Sequence, residues 1–143
     1  MMNKKLIVKR IIFYVLSFTW GVVMTLIGLI AMIIPFGHYH IFHGRIYKTI
    51  GKEWGGVSFG CFFICAEDCQ YDSLMGHECG HGIQNIILGP LMPLIVAIPS
   101  AIRYWYFEWY WNKYMDYPND YDTIWFEDQA TRWGRKYIVT DRI

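Results

Sequence analysis

Gly76-His77-Glu78-Cys79-Gly80-His81-Gly82 is the stretch from which the rest of the chain is read. Its centre is His-Glu-x-x-His. On a helix, residues four apart lie on one face, so His77 and His81 can present both imidazoles to one ion. Glu78 lies about 100° round the helix from His77. That puts its carboxylate beside the metal rather than on it, where it can take a proton from a metal-activated water. The competing reading is a buried His–Glu network with no ion. Three glycines lie within the stretch and Ile83, Ile86, Ile87 and Leu88 follow it, which argues against a solvated surface helix. Glycine costs a helix about 1 kcal/mol each, so three of them imply that another element packs very close. Two ligands leave a metal site incomplete, and a third must come from elsewhere. Cys79 points about 200° from His77 and is not counted as a ligand.

A chain of 143 residues is read as one domain. Charged residues make up only 17% and hydrophobic residues 55%, which is apolar for a soluble protein. Seven Trp and eleven Tyr suit a membrane interface. A net charge of +1 offers no basic field for nucleic acid. The four cysteines form no Cys-x-x-Cys pair, so a zinc ribbon or thioredoxin-like site is unsupported. Cys61 and Cys65 fall on one side of a strand. Cys65 with Cys69 can bridge a turn in an oxidising compartment, and buried free thiols are the alternative.

Lys4, Lys5, Lys9 and Arg10 precede Ile11–Ile34, 24 residues without a charge. That length crosses a hydrocarbon core of about 30 Å, so the segment is expected to be one retained transmembrane helix, ended by Pro35-Phe36-Gly37. The flanking charges place its N-terminus in the cytoplasm and the remaining chain outside. His38, His40 and His43 form a second histidine cluster, either interfacial or a rival source of the third ligand. Arg45–Ile50 and Val57–Ala66 read as two strands of a hairpin joined across residues 51–56. The second precedes the histidine helix, where a peptide can add as an extra strand. Asp72 or Ser73 can cap that helix, which then runs from about Leu74 to Leu88.

Residues 86–102 are apolar but interrupted by Pro90, Pro93 and Pro99, so a regular span is excluded and a kinked or re-entrant segment is expected. Ten aromatic residues in the nineteen positions from Arg103 to Tyr121 read as an interfacial belt, with a carbohydrate-binding surface as the alternative. Tyr117-Pro118-Asn119-Asp120 is a turn, and Asp122 or Thr123 caps a final helix from Ile124 to about Ile138. On that helix Glu127, Ala130, Thr131 and Gly134 share one face, small except for one carboxylate. Gly76 and Gly80 form a matching notch. The two helices are expected to pack through these notches and bring Glu127 to His77 and His81 as the third ligand. An exposed helical glutamate is the alternative.

With both helices in view, the chain resembles the gluzincins, which pair His-Glu-x-x-His with a ligand Glu on a later helix. In the membrane endopeptidases of the CAAX-protease and heat-shock type that helix reads Glu-x-x-Ala-Asp. Here it reads Glu127-Asp128-Gln129-Ala130-Thr131, with Thr131 at the family's Asp. The chain is also similar to small bacterial membrane proteins in its Trp54-Gly-Gly, His-Glu-x-Gly-His, Pro99-Ser100, Arg103-Tyr-Trp and Trp125-Phe-Glu pieces. The resemblance implies an integral protein of a bacterial plasma membrane. It implies Zn²⁺ held by His77, His81 and Glu127, with Glu78 as general base and then proton donor to the leaving amine. Arg103, Tyr104, Tyr106 and Tyr121 are candidates for stabilising the oxyanion.

The expected architecture is therefore an α+β membrane protein. Residues 1–35 form the anchor. Residues 36–143 form a minimal zincin-like domain with a short β-hairpin, the His-Glu-x-x-His helix, a membrane-associated segment over 86–111 and a C-terminal Glu-bearing helix. Two functions of different classes follow. One is a zinc metallopeptidase acting on peptides or proteins near the bilayer. The other is a non-catalytic membrane protein with a structural or degenerate zinc site, acting in binding or assembly. A fourth protein ligand would favour the second.

Overall fold

The computed structural model describes residues 4–116 and 124–142. The expected turn at 117–120, the caps Asp122 and Thr123, and Tyr121 lie outside the described residues. The fold is mixed α and β. Two helices open it, α1 (Lys4–Phe18) and α2 (Val22–Ile33). Four short strands follow, β1 (His38–Phe42), β2 (Arg45–Thr49), β3 (Gly56–Phe59) and β4 (Phe62–Cys65). Then come α3 (Asp72–Leu88), a 3-10 turn at Gly89–Leu91, a π-type turn at Pro93–Ala97, α4 (Ile98–Tyr114) and α5 (Trp125–Arg142).

The single straight helix expected over Ile11–Ile34 is not formed. The chain bends by 94° between α1 and α2, and among the described residues no single helix is long and apolar enough to cross a membrane. The reason is tertiary. Asn85, fully buried on α3, donates its side-chain amide to the Gly21 carbonyl at 3.1 Å. A side chain at Gly21 would collide with that amide. Trp20 donates to the Ile87 carbonyl at 3.4 Å and lies over Gly89. Thr19 bonds back to the Val15 carbonyl at 2.7 Å, a contact that bends helices. Thus the apolar run breaks where α3 holds it.

The hairpin is also redrawn. Val57–Ala66 is not one strand. Gly60, with φ +66°, and Cys61 make a two-residue turn inside it, so β3 and β4 pair antiparallel with Phe59 opposite Phe62. Positive φ at the first central residue alone is the type II′ pattern. The partner of β2 in a hairpin is β1, part of the histidine cluster, through His43 (φ 47°) and Gly44 (φ 81°). Two consecutive positive φ values define a type I′ turn. β2 then lies parallel to β4, giving the sheet order β1-β2-β4-β3.

The sheet packs on α3, and α5 packs on α3. Phe42, Tyr47, Phe63, Met75 and Ile138 fill the space between them. Burying Phe63 to 1% exposure contributes about 2–3 kcal/mol. On the opposite side, α2 seats Gly28 against Phe59 and Thr25 against Gly60. Buried Lys48 reaches from β2 to the end of α2, where its ammonium donates to the Met32 carbonyl at 3.1 Å and to that of Ile34. A cation there complements the negative end of the helix dipole. Beyond α3, Gly89 (φ 56°) and the prolines turn the chain by 117° into α4. This reversal carries α4 back past the histidine helix, as the proline-broken segment requires.

Candidate metal centre

Neither Asp72 nor Ser73 caps α3. Tyr71 stands at the N-cap in extended backbone without a side-chain bond, and Asp72 lies in the first turn, where its charge suits the helix N-terminus. The helix then runs unbroken through the motif. Its glycine notch meets α5 as the spacing predicts. A methyl group on Gly80 would overlap the Ala130 carbonyl, and one on Gly134 would overlap the Gly76 carbonyl. Only hydrogen at these positions lets the two backbones touch.

That approach brings Glu127 to the histidines. Its Oε2 is 3.0 Å from His77 Nε2 and 3.2 Å from His81 Nε2, and the two Nε2 atoms are 3.0 Å apart. A tetrahedral ion bonded at about 2.0–2.1 Å holds its ligands about 3.3 Å apart. The three atoms already lie close to that spacing. Among the described residues this is the one group of three His, Cys, Asp or Glu side chains close enough to hold a metal ion. His38, His40 and His43 do not join it. His40 bonds Thr49 and stacks on Tyr47, and the His43 ring packs against Phe42 and Tyr137.

The surrounding hydrogen bonds prepare these atoms for a cation. Gln84 is buried, and its amide nitrogen donates to the Phe126 carbonyl at 2.7 Å and to Gln129 Oε1 at 3.0 Å. Its Oε1 is therefore fixed as the acceptor for His81 Nδ1–H at 2.8 Å. The neutral ring then keeps its lone pair on Nε2, facing the other two. His77 Nδ1 meets the Thr131 hydroxyl at 2.8 Å, and the Ser100 hydroxyl donates to Glu127 Oε1 at 2.5 Å. Such outer contacts orient metal-binding imidazoles and carboxylates. Glu127 Oε2 is buried and faces the two imidazole Nε2 atoms. Three Lewis-basic atoms thus converge in a buried place, a favourable arrangement only with a cation or a proton among them.

The electrostatics agree. Burial is the largest influence on His81 and opposes charging it, but the hydrogen bond to Glu127, the nearby Glu78 and Glu127 carboxylates and the bond to Gln84 together outweigh it and raise the imidazole pKa. Burial opposes charging Glu127 as well, and the hydrogen bonds from both histidines overcome it and hold the carboxyl well below the usual range. Without a metal, a proton fills the gap. Glu78 differs. Burial is the dominant influence on it and pushes its pKa up, with His77 and His81 opposing. Its Oε2 is buried without a partner.

His77, His81 and Glu78 line an open cleft of about 1040 Å³. One wall is β3, the edge strand of the sheet. Ala66 N–H donates to the Gly55 carbonyl. Antiparallel alternation then turns Val57 and Phe59 toward β4 and leaves the backbone groups of Gly56 and Ser58 on the free edge. Gly56 gives Glu78 its room, because a Cβ there would sit 2.9 Å from Oε1. Of the oxyanion candidates, Tyr104 lines the cleft and donates to the Trp54 carbonyl at 3.1 Å. Arg103 lies over the Phe107 ring and Tyr106 is exposed, and neither lines it. Arg135 does, two helical turns after Glu127, a position that the i, i+4 spacing from Thr131 would have revealed.

No protein-family profile, characterised protein or solved structure matches the chain. The site is therefore described by its own chemistry, as a His-His-Glu group able to hold a metal ion beside an open cleft.

Proposed function

We propose that this chain is a membrane-associated zinc metallopeptidase of gluzincin type, with His77, His81 and Glu127 as zinc ligands and Glu78 as general base. The observation that carries the reading is the convergence of two Nε2 atoms and one Oε2 within 3.0–3.2 Å, with a hydrogen-bonded partner behind each ligand residue. Two nitrogens and one oxygen suit zinc, and three protein ligands leave a fourth position open, as catalytic sites do. When bound, zinc would supply Lewis acidity to a water and to the substrate carbonyl. Glu78 would accept the water's proton and return it to the leaving amine. Its raised pKa, caused by burial, moves it toward the range useful for that exchange. The Gly56 and Ser58 edge would take the substrate as an added strand, and Arg135, or Tyr104 on giving up its bond to the Trp54 carbonyl, would stabilise the oxyanion.

Membrane association is supported by the apolar surface. Ile7, Ile11, Val15, Leu26, Ile30 and Ile33 on α1 and α2 are exposed, as are Ile98, Ile102, Trp105 and Trp109 on α4. Monomeric soluble proteins rarely expose so many apolar side chains on neighbouring helices.

The test is metal analysis of the full chain purified without chelators, beside Glu127→Ala and Glu78→Gln. Wild type should carry about one zinc per chain. Glu127→Ala should lose it. Glu78→Gln should keep it and hydrolyse no peptide. Zinc retained in full by Glu127→Ala refutes the ligand assignment, and zinc-free wild type refutes the metallopeptidase.

A further inference from the structure

We infer that the metal cleft carries an apolar subsite, walled by Ala97 and Ala101, that selects peptides with a large apolar side chain on one side of the cleaved bond. This rests on the metallopeptidase reading and specifies its substrate. The cleft differs along its length. Where α3 begins, Tyr71 and Ser73 line it, and so does Arg135, next to the Gly134 that lies against Gly76. Beyond His81 the lining is Met24, Phe59, Met92 and Val96. Met24, Met92 and Val96 are buried members of one apolar cluster, on which Phe59, Leu88 and Ala97 pack. That cluster is thus one wall of an open cleft. Methionine side chains make such a wall adaptable.

The strand edge and α4 both run from one end of the cleft to the other. On β3, Gly56 lies against Glu78 and Leu74, whereas Phe59 lies against Gly28 of α2. Opposite it, Ala97, Ser100, Ala101 and Tyr104 are spaced i, i+3, i+4 and i+7 and line the cleft from one face. Tyr104 bonds the Trp54 carbonyl at the polar end, and Glu108, one turn later, also lines that end. Ser100 is fixed beside the metal group by its bond to Glu127 Oε1. The alanines on either side of it therefore stand next to the place where a substrate would be cut. Their methyl groups leave room that a Leu or Phe side chain of the substrate would fill.

The occupant is a peptide because β3 offers the backbone groups of Gly56 and Ser58 on its free edge, and an acyl chain cannot pair with them. The apolar wall also reaches the surface. Trp105 lines the cleft and is 69% exposed, and Ile98 and Ile102 are exposed on the outer face of α4. An apolar segment can enter from that side.

The test uses the full chain, loaded with zinc, in phosphatidylcholine nanodiscs. The probes are quenched fluorescent peptides on a Ser/Asn/Gly frame, with Leu, Phe, Ala or Asp at one position. The Leu and Phe peptides should be cut with kcat/KM about tenfold or more above the Ala peptide, and the Asp peptide least. Mass spectrometry of the products should place the apolar residue on the same side of the cut in both. Ala101→Phe, at an exposed position, should raise KM for the Leu peptide about tenfold with kcat nearly unchanged and zinc content intact. Binding is read separately, by fluorescence anisotropy on Glu78→Gln, and should show the same order. Cleavage and binding indifferent to the variable residue overturn the subsite and leave the metallopeptidase reading standing. So does an Ala101→Phe protein with unchanged KM for the Leu peptide. If no peptide is cut, the metallopeptidase reading fails, and the order of binding alone then upholds or overturns the subsite. Competition by dodecanoate as effective as by the Leu peptide overturns it in favour of an acyl-chain site.

Discussion

The Gly80 α-carbon faces the Ala130 carbonyl so closely that no side chain fits between them. This contact sets the distance between α3 and α5, and with it the distance from His77 and His81 to Glu127. Gly80→Ala should therefore force the helices apart. Overpacking of this kind costs about 1–3 kcal/mol. Thermal unfolding should show the loss, and metal affinity should fall further than stability does. A Gly80→Ala protein with wild-type affinity would separate the glycine notch from the site.

The Thr131 hydroxyl meets the outer nitrogen of His77 at 2.8 Å. Thr131→Val should lower metal affinity by about 10–100-fold with little change in folding. Thr131→Asp should retain or raise affinity. Gln84→Leu should be more damaging, because it also breaks the bond to the Phe126 carbonyl at the start of α5. Competition with a zinc chelator measures all three. Affinity unchanged in both Thr131→Val and Gln84→Leu would show that the outer contacts do not tune the site.

On the proposed reading, protons and a metal ion would compete for the same three atoms. In the metal-free protein the pKa of His81 is raised above its ordinary 6.5, so its contribution to stability is complete below 6.5 and is lost as pH rises through the raised value. Glu127 has a lowered pKa, so its contribution is present above its ordinary 4.5 and is lost only as pH falls well below that value. The metal-free pair thus stabilises most between about 4.5 and 6.5. Metal binding displaces the proton. The gain in Tm on adding zinc should therefore grow as pH rises from 6 to 8. Scanning calorimetry with and without metal checks this, and a gain independent of pH would mean that no proton is displaced.

Burial pushes the thiols of Cys61 and Cys65 up to about 11, and Cys79 is fully buried. Cys69 is half-buried, and none of the four cysteines is in a disulfide, so of the two alternatives for Cys65 and Cys69 the structure has the unbridged thiols. Iodoacetamide at pH 8 should label Cys69 alone in the folded chain, since thiolates are the reactive form. Peptide mapping by mass spectrometry reads the outcome. Equal labelling of Cys61 or Cys65 would show that the sheet opens readily.

Local chemistry explains what was legible beforehand. The His77–His81 spacing fixes two imidazoles on one helical face whatever surrounds them. The small faces of α3 and α5 needed only periodicity to be matched, so Glu127 was found from spacing as well. Gln84 is not legible in the sequence because a helical Gln carries no signal of its own. Its role depends on Phe126 and Gln129, more than forty positions away. The Gly60-Cys61 turn lies inside an apolar run, and the His43-Gly44 turn lies at the end of a histidine cluster, so neither carries a clear turn signal.

The sequence by itself determined the donor set, the motif helix and the glycine notches, because these follow from short-range geometry and side-chain size. Tertiary structure alone decided the bend at Gly21 and the parallel pairing of β2 with β4. Each depends on partners distant in the chain. Asn85 reaches Gly21 across 64 positions, and no local pattern in an apolar run of 24 residues records that such a partner exists.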